Sequence, residues 1–284
     1  MSTVNLILIA LLFAKFSYAQ NVNDVFLTET SLLDFSNEKI SSLIEEKKWK
    51  ALPTKERINT IYEYVQNEIK FGYNESDDLK ASEVLKDGYG QCNTKGTLLM
   101  ALLRGAGIPT KFHGFGIDKR MQKGVVTGLA FSLAPDEIIH SWVEVWQGEK
   151  WVILEGFILD RPYLQKLQQA FSSENFCGYG VATKNFKSPQ ISWDGNSNTF
   201  IQKDAIVRDY GIFNSPDDFY EKHGVNLNGF KSFIFRGIVR HRMNDNVEEI
   251  RSSEKTPELP MVCELKDIKA LILPESTGQE PMKP

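Results

Sequence analysis

Residues 88–109, GYGQCNTKGTLLMALLRGAGIP, constrain this chain more than any other stretch. Leu98, Leu99, Leu102, Leu103 and Ala106 recur at helical spacing as one apolar stripe. Gly105 and Gly107 end the helix, and Pro109 forbids its return. At the other end Gly88 and Gly90 bring a sharply turning backbone into the helix start, and Cys92 stands there. A small thiol can simply pack, and a free cysteine often does. A helix start is also where unpaired N–H groups and the helix dipole favour a thiolate.

The rest of the chain supplies helices before this one and strands after it. Asn37 to Leu52 has a charged face and reads as a helix. A second helix opens at Thr54, with Ile58, Ile61, Tyr62, Val65 and Ile69 as its apolar positions, and Ala81 to Lys86 forms a short third. Thr110 to Ile117 alternates weakly, whereas His140 to Trp146 and Trp151 to Glu155 are strong strand signals. Leu164 to Phe171 reads as helical. Residues 172–215, rich in Asn, Ser, Gly and Pro, read as loops with short strands, and Phe230 to Met243 is apolar with basic ends.

The 284 residues carry 42% hydrophobic and 25% charged side chains at a net charge of -4, which gives no basis for a nucleic-acid partner. The apolar run Leu6 to Ala14 is too short to span a bilayer, which takes about 20 residues. It leads to Ser17-Tyr18-Ala19, a signal-peptidase pattern with cleavage after Ala19. Residues 1–19 are therefore expected to be a signal peptide, and the protein secreted or periplasmic without stable membrane insertion. A buried N-terminal helix in a cytoplasmic protein is the alternative. In an exported protein Cys177 and Cys263 can form a disulfide and leave Cys92 free.

A cysteine nucleophile needs a base, because a free thiol with a pKa of about 8.5 is little ionised at neutral pH. Residues 138–156, IIHSWVEVWQGEKWVILEG, read as a β-hairpin turning at Gln147 to Lys150. Pairing Trp146 with Trp151 puts Trp142 opposite Glu155 and His140 diagonal to it, all on one face with Ile153. Diagonal neighbours lie about 7–8 Å apart at the backbone, within reach of a glutamate. Glu155 can then hold one ring nitrogen of His140 and leave the other for a thiol. A slip of one residue would put the two on opposite faces. The Cys92 N–H is the candidate oxyanion donor, and Trp142 the candidate substrate contact. His113 reads as a satisfied structural histidine, and the cluster Arg240, His241 and Arg242 as a solvated one.

These residues, with a helix ending LLRGAGIP, then HSWVEVW and WVILEG, resemble the transglutaminase-like superfamily over about residues 55–160. The resemblance implies an α+β, papain-like core in which the cysteine helix packs on an antiparallel sheet. It makes Cys92 the nucleophile, His140 the general base and acid, and puts Glu155 where the family has Asp. Asp160 is the fallback for orienting the histidine. Asn93 stands where calcium-dependent animal enzymes carry an aromatic residue, and no acidic cluster reads as a calcium loop. The likeness is to the bacterial and archaeal group, and no metal or cofactor is expected. The domain is read as residues 21–252, with a family-specific extension after the core and a flexible tail over 253–284. The implied activity is acyl transfer or amide hydrolysis on a protein or peptide through a thioester. A non-catalytic module that binds a peptide or glycan is the alternative, and a glycan-directed amidase a third reading.

Overall fold

In the computed structural model the residues described are 24–227, 229–255 and 257–258. The signal-peptide reading of residues 1–19, Cys263 and the tail beyond residue 258 lie outside them.

The chain begins with helices. Asn37 caps α1 (Glu38–Glu46) by accepting a hydrogen bond from the Lys39 N–H. That helix ends earlier than its charge pattern suggests, because Lys48 takes a left-handed conformation and a 3-10 turn follows at Trp49–Ala51. Pro53 precedes α2 (Thr54–Asn67), so Thr54 is the first helical residue rather than the cap. A parallel pair, β1 (Lys70–Phe71) with β2 (Tyr89–Gly90), brackets α3 (Ala81–Asp87).

The fourth helix, α4 (Cys92–Gly105), is the centre of the molecule. Every residue from Cys92 to Arg104 is buried, Asn93, Thr94, Lys95 and Thr97 along with the leucines. The apolar stripe therefore understates its burial. A helix enclosed on all sides must satisfy its polar groups internally, and this one does. Lys95 donates to the carbonyls of Gln66 and Ile158 at 3.2 and 3.0 Å. Burial pushes the Lys95 ammonium down to about 7, against the pull of Asp160.

The main sheet is antiparallel and consists of β3 (Thr110–Asp118), β4 (Glu137–Trp146), β5 (Trp151–Leu154) and β8 (Ile206–Phe213), with the short helix α5 (Gly128–Leu133) between β3 and β4 in the chain. The strand order is β5–β4–β3–β8. The hairpin of β4 and β5 pairs Trp146 with Trp151 and Val143 with Leu154, the register expected from the sequence. Ser141 and Val143 face α4 at Gly96. The edge strand β8 corrects the reading of residues 172–215 as loops with short strands. Its register on β3 shifts twice, so no regular alternation marks it. Between β5 and β8 lie α6 (Arg161–Ala170) and a small hairpin of β6 (Phe176–Gly178) and β7 (Val181–Thr183).

Beyond the sheet, α7 (Pro216–His223) packs on β3. The apolar segment after it is helical: α8 (Gly229–Ile234), a π-turn at Phe235–Val239 and α9 (Arg240–Ser252). Asn244 of α9 exchanges hydrogen bonds with the backbone of Tyr73, and Arg251 holds both Asp160 and the Phe71 carbonyl.

Candidate active site

The start of α4 is built by two glycines with different tasks. Gly88 closes α3 in the left-handed region, at φ +71°, where a side chain would be strained. Gly90 is needed for space: a Cβ there would lie 2.6 Å from Thr94 Oγ1 and 3.0 Å from Lys95 Cγ. Cys92 follows as the first residue of the helix, so its N–H has no partner within it. The thiol is free, 7% exposed, and lines a cleft of about 260 Å³.

His140 lies within interaction range of that thiol and is fully buried. Its Nε2 is 2.8 Å from Glu155 Oε1. Nδ1 has no hydrogen bond of standard geometry and is the ring atom left for Cys92. Burial alone would lower the pKa of the ring. The charge and hydrogen bond of Cys92, then those of Glu155, outweigh it and raise the ring to about 9. These interactions favour the protonated imidazole.

Glu155 is also buried, and its second oxygen is not idle. Oε2 accepts from the backbone N–H groups of Ile201 and Gln202 at 2.7 and 3.0 Å. The Glu155 N–H in turn donates to the carbonyl of Thr199, and Thr199 Oγ1 accepts from Gly156. The glutamate thus spans from the end of β5 to a segment of the extension, a reach its extra methylene provides.

Asp160, the fallback, is engaged elsewhere. It caps α6 through the Tyr163 N–H, accepts from Phe71 N at 2.8 Å and pairs with Arg251 at 2.8 Å. Burial would raise its carboxyl, but Arg251 holds it below the usual range. Trp142 requires a correction as a substrate contact. It is 0% exposed, its ring 4.1 Å from Phe115 and 5.8 Å from Phe200, and it does not line the cleft. Strand alternation that puts it beside His140 also turns it into the core. Cys177 is disulfide-bonded, not a second active-site thiol; Cys263, its expected partner, lies outside the described residues. Arg240 donates to the Tyr89 hydroxyl. His113 is held on both nitrogens, by Glu144 and by Asp209, each at 2.9 Å.

One network escaped the sequence reading. Asn93, next to Cys92, donates to Asp77 Oδ1 at 2.9 Å and to the Ile139 carbonyl at 3.1 Å, and accepts from Ser141 Oγ at 2.9 Å. Asp77 Oδ2 accepts from the Asn226 N–H and side-chain amide, and Asn226 Oδ1 accepts from Ile139 N at 2.6 Å. The residues on either side of His140 are thereby fixed to the residue after Cys92. Asp77 and Asn226 lie 149 positions apart, so no local pattern announces the pair.

Residues 42–156 match the family model of the transglutaminase-like superfamily. Over that segment the chain is similar to the superfamily, and its helices and antiparallel sheet make an α+β core. Among solved structures it is similar to a candidate cysteine protease from Cytophaga hutchinsonii, at 12% identity and a TM-score of 0.41, over 72% of this chain and 50% of that one. It is also similar to red sea bream transglutaminase, at 14% identity and a TM-score of 0.27, over 77% of this chain and 32% of that one. The chain spans half the length of the first and about a third of the second. No curated protein matches it. Among the described residues no helix is long and apolar enough to cross a membrane.

Proposed function

We propose that this protein is a cysteine acyltransferase or amidase acting on carboxamides of proteins or peptides through Cys92, His140 and Glu155. The observation that carries the reading is one fully buried histidine. A buried carboxylate holds one of its nitrogens, and the other is left beside a free thiol at a helix start that opens on a cleft. The Cys92 thiolate attacks the carboxamide carbonyl, and the oxyanion that forms takes up the Cys92 N–H. The C–N bond then breaks, His140 gives its proton to the leaving nitrogen, and ammonia or an amine departs from a thioester. Water or a lysine amine attacks that thioester and loses a proton to His140, which regenerates the thiolate. Glu155 keeps the ring in the tautomer and orientation both steps need.

The expected site of action is outside the cytoplasm. The first 19 residues and the disulfide-bonded Cys177 support that reading. Intact-mass spectrometry of the protein mixed with glutaminyl peptides tests the chemistry. The expected result is an adduct of peptide minus ammonia on Cys92, absent from Cys92→Ala. Peptide binding without an adduct or turnover would make the protein a non-catalytic module.

A further inference from the structure

The cleft at Cys92 has two kinds of wall. Close to the sulfur it is polar, but those groups are spent on one another: Asn93, Gln91 and Asn226 all donate to Asp77. Much of the rest of its lining is apolar. Two stretches of chain supply it, Val126, Leu133 and Ile138 from one and Ile234, Phe235 and Val239 from the other. Leu133 and Ile234 line the cleft while remaining 66% and 39% exposed. Each has an exposed apolar neighbour four residues away, Leu129 and Ile238, on the same helical segment. Among the described residues, the charged side chains lining the cleft are acidic, Glu75 and Asp77. Two apolar rims around an acidic mouth discourage an anionic occupant and favour an apolar one.

Among the described lining residues, one fully buried side-chain polar atom has no partner. Gln202 is 1% exposed, and its Nε2 donates to the Gly180 carbonyl. Its Oε1 has no partner. A buried acceptor left empty is costly unless something supplies a donor. Its backbone N–H is one of the two that hold Glu155, so the residue adjoins the carboxylate that binds His140, and it lines the same cleft as Cys92.

Resting on the acyl-transfer reading, we infer that the substrate is a peptide carboxamide flanked by bulky apolar side chains, with an amide N–H donated to Gln202 Oε1. The flanking side chains lie between the rims of α5 (Gly128–Leu133) and the segment 232–239. A phosphatidylcholine would fill the apolar walls but offers Gln202 no N–H.

Three alkylating reagents test this on the full chain: iodoacetamide, N-hexyl-iodoacetamide and iodoacetate, with glutathione as the reference thiol. The expected rate at Cys92 for the hexyl reagent is at least ten-fold above iodoacetamide once divided by the same ratio for glutathione, and iodoacetate is slower than both. Leu133→Asp and Ile234→Asp, each normalised to its own iodoacetamide rate, bring the ratio toward one. Among glutaminyl peptides, those with Leu or Phe beside the glutamine exceed those with Asp by at least 100-fold in kcat/KM, and Gln202→Met raises KM about ten-fold. A hexyl ratio of one overturns the inference, as does a high ratio that survives both aspartates. So does a ratio that appears only on dilution, or only in a chain ending at residue 265, since the groove would then seat a second copy or the chain's own tail. Competition by phosphatidylcholine vesicles but not by a leucine-flanked carboxamide peptide would assign the groove to lipid and overturn it too. Failure of the acyl-transfer reading looks different: iodoacetamide labels Cys92 no faster than glutathione and His140→Ala changes nothing, whatever the hexyl ratio.

Discussion

His113 on β3 and His140 on β4 share one face of one sheet, and each has a glutamate within hydrogen-bond distance, at 2.9 and 2.8 Å. Around His113 both nitrogens are taken, by Glu144 and by Asp209. Around His140 one nitrogen is taken and the other has only the thiol. A ring with both nitrogens bound to carboxylates is an ionic clamp across three strands. A ring with one nitrogen uncommitted can move a proton. The acid beside a histidine therefore says little about its role, and the occupancy of the second nitrogen says much.

The sharpest way to break the comparison is to remove the groups that only one histidine has. Cys92→Ala and His140→Ala are expected to lower kcat by about 10⁶-fold, to the background set by binding alone. His113→Ala is expected to leave kcat within about ten-fold. Steady-state ammonia release measures all three. A loss at His113 equal to that at His140 would dissolve the distinction.

Glu155 comes next. Glu155→Gln keeps the length and removes the charge, and is expected to cost about 10²–10⁴-fold in kcat. It should also move the alkaline limb of the rate. In the wild type that limb is expected near pH 9, where His140 gives up its ring proton. Glu155 is one of the groups that raise the ring, so without its charge the limb shifts to lower pH. Glu155→Asp separates reach from charge. Retreating by one methylene, it is expected to lose either the His140 bond or those from Ile201 and Gln202, and to retain activity between the wild type and Glu155→Gln.

A smaller effect is expected at Asn226, which touches neither sulfur nor imidazole. It joins Asp77 to the backbone of Ile139, beside His140. Asn226→Ala is expected to lower kcat about 10–100-fold with little change in KM, since a slightly misplaced pair still admits substrate. An unchanged kcat would make the network a loop tether and nothing more.

How much of this was legible follows the range of each interaction. The α4 helix and the β4–β5 hairpin are local patterns, and the register that brings His140 to Glu155 follows from two tryptophans and a four-residue turn. Asp77, Asn226 and the cradle of Ile201 and Gln202 under Glu155 are contacts between residues 46 to 149 positions apart. Such contacts leave no periodicity to read. Strand β8 was hidden for a related reason: an edge strand with two register shifts loses the alternation that would reveal it.

The smallest expected effect belongs to His113 and is one of stability. Burial would lower its pKa, but hydrogen bonds to Asp209 and Glu144 and their charges outweigh burial and raise it. A group whose folded pKa lies above the unfolded value contributes stability that is complete below the unfolded value, about 6.5 for histidine, and is lost as pH rises through the folded one. Asp209 has the opposite sign. Burial would raise it, His113 holds it down, and its contribution is complete above the unfolded carboxylate value, about 4, and is lost as pH falls from there through the lower folded one. The clamp is therefore strongest between these limits. Replacing it by His113→Gln, which cannot carry charge, is expected to lower Tm most at pH 5–6 and progressively less on the alkaline side. A Tm difference that is flat or grows with pH would mean that His113 is neutral in the folded protein. The two histidines would then differ in neighbours but not in charge.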